Sequence, residues 1–253
     1  MSRVEDYRLG RDDVSFTFSA QAQLGWRAGV LSARPSRPSE PPLPAGLQLL
    51  STAGGLQNAD AESALFVPPA ATGPLPLVVL LHGATSHPAQ VLPILQSEAE
   101  RRGILLLVPK SRDYTWDIIR GGFGPDIDVL DRLLTEVFEH VEVDPARIAL
   151  AGFSDGASYA LSVGLVNGEL FRRILAFSPG FMVPGRRSGK PAVFISHGDA
   201  DTVLPIQRCS RRIVPLLRAE GYQVDYREFT GGHTVPADLA TAAVEPLADL
   251  PAG

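Results

Sequence analysis

The chain has 253 residues, 45% hydrophobic and 20% charged, which is enough to bury the core of one α/β domain. A formal net charge of −5, without any block of like charge, argues against a nucleic-acid partner. The single cysteine, Cys209, excludes an internal disulfide and a cysteine-built zinc site. No run is long enough to span a membrane and MSRVEDYRLGRDD has no apolar signal core, so a cytoplasmic protein without stable membrane association is expected.

In chain order, residues 14–18 and 26–33 read as short strands, and residues 34–44 (RPSRPSEPPLP) as a proline-rich connector unable to hold a ladder or a helix. Residues 1–46 are therefore taken as an N-terminal extension, and 47–253 as the main domain. Residues 47–51 and 63–67 read as an antiparallel hairpin at a sheet edge. The continuous apolar runs at 77–81 and 104–108 read as strands buried on both faces, with a helix over 89–101 between them. A long loop, 109–124, precedes a helix over 125–140, where Ile127, Leu130, Leu134, Val137 and Val141 recur at three- and four-residue intervals. Strands follow at 148–151, 174–177, 193–196 and 223–229. Helices are expected at 206–219, bent or begun late at Pro215, and at 235–247, ended by Pro246. Strands alternating with helices define an α/β fold with a mainly parallel, doubly wound sheet and antiparallel edge strands.

The chemistry centres on Gly152-Phe153-Ser154-Asp155-Gly156, lying between the apolar strand 148–151 and a helix-type run. In a strand-turn-helix setting this spacing raises a serine on a strained turn as a nucleophile, and the flanking glycines let strand and helix pass closely. A glycine-rich turn with a helix-capping serine would look similar, so the partners decide. Reactive groups of such sheets gather at the carboxyl ends of strands. After 193–196 come Asp199 and Asp201, and after 223–229 comes Gly231-Gly232-His233. His233 is the general base. Asp201 is preferred as the acid because the apolar Val203-Leu204-Pro205 can pin its loop to the core, while Asp199 is better placed to tighten the turn. The oxyanion donors are the N–H groups of Asp155, at a helix N-terminus, and Ala84, in the His82-Gly83-Ala84 loop. The Asp155 side chain is expected to point away from that pocket, and His82 to hold the loop. His197 is expected to bond backbone, and Cys209 to be a small packed residue.

LLHGA, GFSDGAS, HGDADTVLP and GGHTVP, in that order, resemble the α/β-hydrolase superfamily over roughly residues 60–245. Within it they are similar to the phospholipase/carboxylesterase group that includes acyl-protein thioesterases, and more loosely to polyhydroxybutyrate-depolymerase-like esterases. The resemblance implies an α/β-hydrolase fold, a catalytic Ser154, Asp201 and His233, and oxyanion amides at Ala84 and Asp155. Two departures stand out: many relatives carry Gln, Met, Ala or Gly at the position of Asp155, and the proline-rich region lies outside the shared core.

A two-step acyl transfer on a small-molecule ester follows, with no metal or organic cofactor required. Lids of this superfamily usually enter after the strand that follows the elbow helix. Here that is residues 178–190, too short for a large lid domain, so an open cleft and short-acyl esters are expected. Trp116, Phe181, Met182 and Leu204 are the candidate substrate-binding side chains. A thioesterase, a lysophospholipase, a hydroxyalkanoate-oligomer depolymerase and a non-catalytic receptor are the other readings. The sequence leaves the oligomeric state open.

Overall fold

The computed structural model describes residues 28–51, 62–69 and 73–248, with the backbone of 8–9 and 14–15. Arg8–Leu9 (β1) and Val14–Ser15 (β2) pair as a two-residue antiparallel ladder. The remaining strands form one sheet: Gly46–Ser51 (β3), Glu62–Val67 (β4), Leu75–Leu81 (β5), Leu105–Val108 (β6), Val143–Phe153 (β7), Arg173–Phe177 (β8), Ala192–Gly198 (β9) and Val224–Phe229 (β10). Its order is β10-β9-β8-β7-β5-β6-β4-β3, eight strands, parallel from β10 to β6 and antiparallel at β4 and β3. The doubly wound sheet with an antiparallel edge hairpin is therefore the observed fold.

The period-2 alternation of strand side chains divides the core. Leu77, Val79 and Leu81 of β5 face one apolar layer, and Val78 and Leu80 face the other. The first layer is closed by Pro125–His140 (α3), Asp155–Val166 (α4) and Ser210–Ala219 (α5). The second is closed by Pro88–Val91 (α1), Pro93–Arg102 (α2) and Ala237–Ala248 (α6). All seven residues of β5 are buried, as expected of a strand covered on both sides.

Three expectations change. Residues 28–33 form no strand; residues 26–27 and 16–18 lie outside the described residues. Ala28 and Gly29 turn with positive φ, and the amides of the following residues are taken by side chains instead of a ladder. Leu31 N donates to Asn167 Oδ1 at 2.8 Å, and Ser32 N and Ala33 N donate to Asp131 Oδ1 at 2.6 and 2.8 Å. Leu31 and Ala33 join the first core layer, so this segment lies packed against α3 and α4. Next, the helix does not begin at Pro215, which lies inside α5, begun at Ser210. Burial of Ile213, Val214 and Leu217 on one face outweighs the backbone bond that proline removes. Last, Pro246 does not end α6: one further turn-end buries Leu247 against α2's layer.

Candidate active site

Because β5, β7, β9 and β10 run parallel, their carboxyl ends meet along one edge of the sheet. The chain leaves β7 at Phe153 and turns into α4 at Ser154, whose φ of 59° and ψ of −121° lie in a region non-glycine residues rarely enter. The neighbouring helix makes that turn possible only with glycine. A Cβ at Gly152 would sit 2.2 Å from the Gly156 carbonyl oxygen, and one at Gly156 would sit 2.2 Å from that of Leu81. Ser154 N donates to Phe177 O of β8 at 3.0 Å, which fixes the turn from the other side.

Asp201 and His233 meet above this edge. His233 Nδ1 and Asp201 Oδ2 are 2.6 Å apart. Asp201 Oδ1 also accepts from the Val203 and Leu204 amides at 2.9 and 2.8 Å. Burial works against a charge on Asp201, but the His233 bond and these amides outweigh it and hold the carboxyl below its usual range. His197 supports the same loop: Nε2 donates to Leu204 O at 2.7 Å and lies 3.2 Å from Asp201 Oδ2, while Nδ1 accepts from Ser210 Oγ at 2.7 Å. Burial lowers its pKa. Asp199 ties the two loops together by accepting from Gly231 N at 3.1 Å. The approach is close, since a Cβ at Gly198 would meet the Gly231 and Gly232 carbonyl oxygens at 2.4 Å.

The His233 ring packs on Phe153, with centroids 4.7 Å apart, so it stands beside the elbow. Among the described residues no hydrogen bond joins it to the Ser154 hydroxyl; Asp201 is its hydrogen-bond partner. On the other side of the serine lies the loop after β5. A Cβ on Gly83 would be 3.3 Å from Ser154 Cβ, which places the His82-Gly83-Ala84 backbone against Ser154. His82 is fully buried: Nδ1 donates to Gly83 O at 2.7 Å and Nε2 accepts from Ser111 N at 3.1 Å. Burial lowers its pKa to about 4, so the ring is neutral and holds the loop. The Asp155 carboxylate reaches away, accepting from Thr115 Oγ1 at 2.6 Å. Burial raises its pKa.

Of the four proposed substrate-binding side chains, Leu204 lies against Gly180, where a Cβ would be 3.3 Å from Leu204 Cδ2. Phe181 and Met182, which follow Gly180 in the chain, are half-buried against the first core layer. Residues 179–188 carry no helix or strand; Ser158 Oγ accepts from Gly180 N at 2.9 Å and Ser162 Oγ from Val183 N at 3.1 Å, strapping them to α4. Trp116 is a correction. It is fully buried, stacked on Tyr159 with centroids 5.0 Å apart, and its indole N–H donates to His82 O at 2.8 Å. A buried indole with its only donor on backbone secures a loop and cannot line a cleft.

Residues 109–124 are anchored beneath by two carboxylates. Asp126 Oδ2 accepts from Asp117 N and Asp117 Oδ2 accepts from Asp126 N, both at 2.8 Å, and Asp126 Oδ1 accepts from Arg112 N at 2.8 Å. Burial, then the facing Asp126 charge, pushes Asp117 up to about 7. Sequence reasoning missed Ser111, Thr115 and Asp117 because polar residues of a long loop carry no period, and Asp126 because it sits in the first turn of a helix read by its apolar face. Ser158 and Ser162 did leave a signal: they are hydroxyls one turn apart in an otherwise apolar helix. Among the described residues no group of three or more His, Cys, Asp or Glu is arranged to hold a metal ion. Cys209 is buried, and burial raises its thiol to about 11. No helix of the described residues is long and apolar enough to cross a membrane.

The fold is that of an α/β-hydrolase. Residues 122–245 match the family model for phospholipase/carboxylesterase. Acyl-protein thioesterase 1 of Gibberella zeae is 30% identical over 106 residues, 38% of this chain and 45% of that protein. The alignment thus spans about half the length of that curated relative. Among solved structures, esterase PE8 is 26% identical with a TM-score of 0.60, covering 72% of this chain and 95% of that one. The phospholipase/carboxylesterase from Dyadobacter fermentans, 22% identical with a TM-score of 0.56, covers 70% of this chain and 93% of that one and shares the fold. By these comparisons the chain is similar to phospholipase/carboxylesterase proteins, an acyl-protein thioesterase and esterases.

Proposed function

We propose that the protein is a serine carboxylesterase hydrolysing small or short-acyl carboxylic esters, with Ser154 as nucleophile, His233 as general base and Asp201 as the acid that orients it. The observation that carries the reading is the 2.6 Å His233–Asp201 contact beside a serine held at φ 59° on the strand-to-helix turn. Ser154 Oγ attacks the ester carbonyl while its proton passes to His233 Nε2, the nitrogen left free by Asp201 at Nδ1. Catalytic hydrogen bonds are often loose before substrate binds, and the bond from Ser154 to His233 forms as the ester docks. The amides of Ala84 and Asp155 receive the oxyanion; deleting one such donor costs about 2.7–4 kcal/mol in other enzymes. His233 then protonates the departing alcohol, and water releases the acid by the same route. Phe181, Met182 and Leu204 form the apolar wall of the substrate site. A cytoplasmic location belongs to the same proposal, and fractionation of the native protein tests it.

A thioesterase on the same residues is the second reading, favoured by the similarity to acyl-protein thioesterase 1. Turnover of p-nitrophenyl esters of graded chain length, compared with acyl thioesters, separates the two. Loss of activity and of fluorophosphonate labelling in Ser154→Ala is expected. A wild-type protein that neither turns over any ester nor takes the label would leave only a receptor.

A further inference from the structure

The 109–124 loop touches the surroundings of Ser154 at four points. Thr115 Oγ1 donates to Asp155 Oδ2 at 2.6 Å, and Trp116 Nε1 to His82 O at 2.8 Å. Ser111 N donates to His82 Nε2 at 3.1 Å, and Thr85 N to Tyr114 O at 2.6 Å. Gly83, packed against Ser154, completes a circuit that runs from elbow to long loop to oxyanion loop and back. Both backbone ends of this circuit are in costly conformations: Ser154 has φ 59° and the β-branched Thr85 has φ 56°. Such residues persist only where their surroundings over-determine them. The bonds from 109–124 are that constraint for the oxyanion loop, and Asp155 links it to the elbow.

We propose that the Thr115–Asp155 hydrogen bond is a clamp that sets the spacing of the two oxyanion amides, which makes Thr115 and the Asp155 carboxylate positioning residues for acyl transfer. The inference rests on the ester-hydrolase reading above. A carboxylate beside a developing oxyanion opposes it by charge, so its presence at the elbow calls for a compensating role. A charge-assisted bond from a hydroxyl that is itself almost fully buried supplies one, since Thr115 is only 1% exposed and its hydroxyl donates to Asp155 Oδ2. Amide donors act through preorganisation, so their misplacement weakens the transition state more than the bound ester.

The test compares Thr115→Val, Thr115→Ser and Asp155→Ala with wild type on the p-nitrophenyl ester that wild type turns over best. The second readout is inhibition by a trifluoromethyl ketone, which adds to the serine and places an oxyanion in the same pocket. Thr115→Val is expected to lower kcat about 10-fold with KM within about twofold, and to weaken the ketone by the same factor as kcat/KM. Thr115→Ser, which keeps the hydroxyl, stays near wild type. Asp155→Ala lowers kcat similarly, and adding Thr115→Val to it lowers kcat no further. Wild-type kcat in Thr115→Val, a loss confined to KM, or an equal loss in Thr115→Ser overturns the clamp. Should Thr115→Val fail to fold, unchanged kcat or unchanged ketone inhibition in Asp155→Ala overturns it alone. A wild type with no esterase activity would instead refute the functional reading, so the two failures are distinct.

Discussion

Two hydrogen atoms, on the α-carbons of Gly152 and Gly156, decide whether Ser154 can stand where it does. A methyl at either position would lie 2.2 Å from a backbone oxygen, and backbone has no flexible end to move. Gly152→Ala and Gly156→Ala should each cost on the order of 4 kcal/mol or more, read as insoluble protein or a collapsed urea midpoint. Asp117 gives a pH signature at the same scale. Its carboxyl, raised from 3.8 to about 7, is faced by Asp126 and Tyr159, with Lys110 and Arg112 acting on Asp126 and Asp128 on Tyr159. The folded state then holds a proton that the unfolded chain has released, so the stability Asp117 contributes falls as pH rises from about 4 to about 7 and levels off above. The buried His82 and His197, with lowered pKa, act in the opposite sense in wild type and variant alike. The urea midpoint of wild type relative to Asp117→Asn should therefore drop between pH 5 and pH 8. The elbow glycines were readable because their spacing is local. Asp117 was not, since what perturbs it is burial and then Asp126, nine residues along the chain and brought face to face by a turn.

Elements here are held in place as much by single polar side chains as by their own propensities. Asn167, at the end of α4, donates to Gly29 O at 2.7 Å and Val163 O at 2.8 Å, and accepts from Leu31 N at 2.8 Å. Asn167→Ala would leave the Leu31 amide and Gly29 carbonyl without partners in a buried place, a loss of about 2–4 kcal/mol measured by urea unfolding. Residues 28–33 misled as a strand because Leu31 and Ala33, at alternate positions, are indeed buried. Only the destination of the amides, Asn167 and Asp131, distinguishes a ladder from a packed coil. Pro215 and Pro246 lie inside α5 and α6 because a buried apolar face continues past each, where an isolated helix would begin late or stop.

The molecule as a whole is a sheet with two separate apolar layers, and its stability should divide accordingly. Leu95 of α2 and Leu134 of α3 belong to opposite layers. Leu95→Ala and Leu134→Ala should each cost about 2–5 kcal/mol, and the double variant the sum to within about 0.5 kcal/mol. Coupling larger than that, in the same unfolding experiment, would mean the layers communicate through the sheet. By itself the sequence determined the mainly parallel sheet with its antiparallel edge hairpin, the strand-to-helix turn at Ser154 and the strand-end loops that carry Asp201 and His233. Apolar period, glycine spacing and the strand-end rule are properties of short stretches of chain. Tertiary structure alone decided that Trp116 is a buried fastener, that Asp155 turns to Thr115, and that the Leu31 segment closes the core. Each depends on a partner about 30 to 140 residues away, and no local pattern records which distant group a side chain will meet.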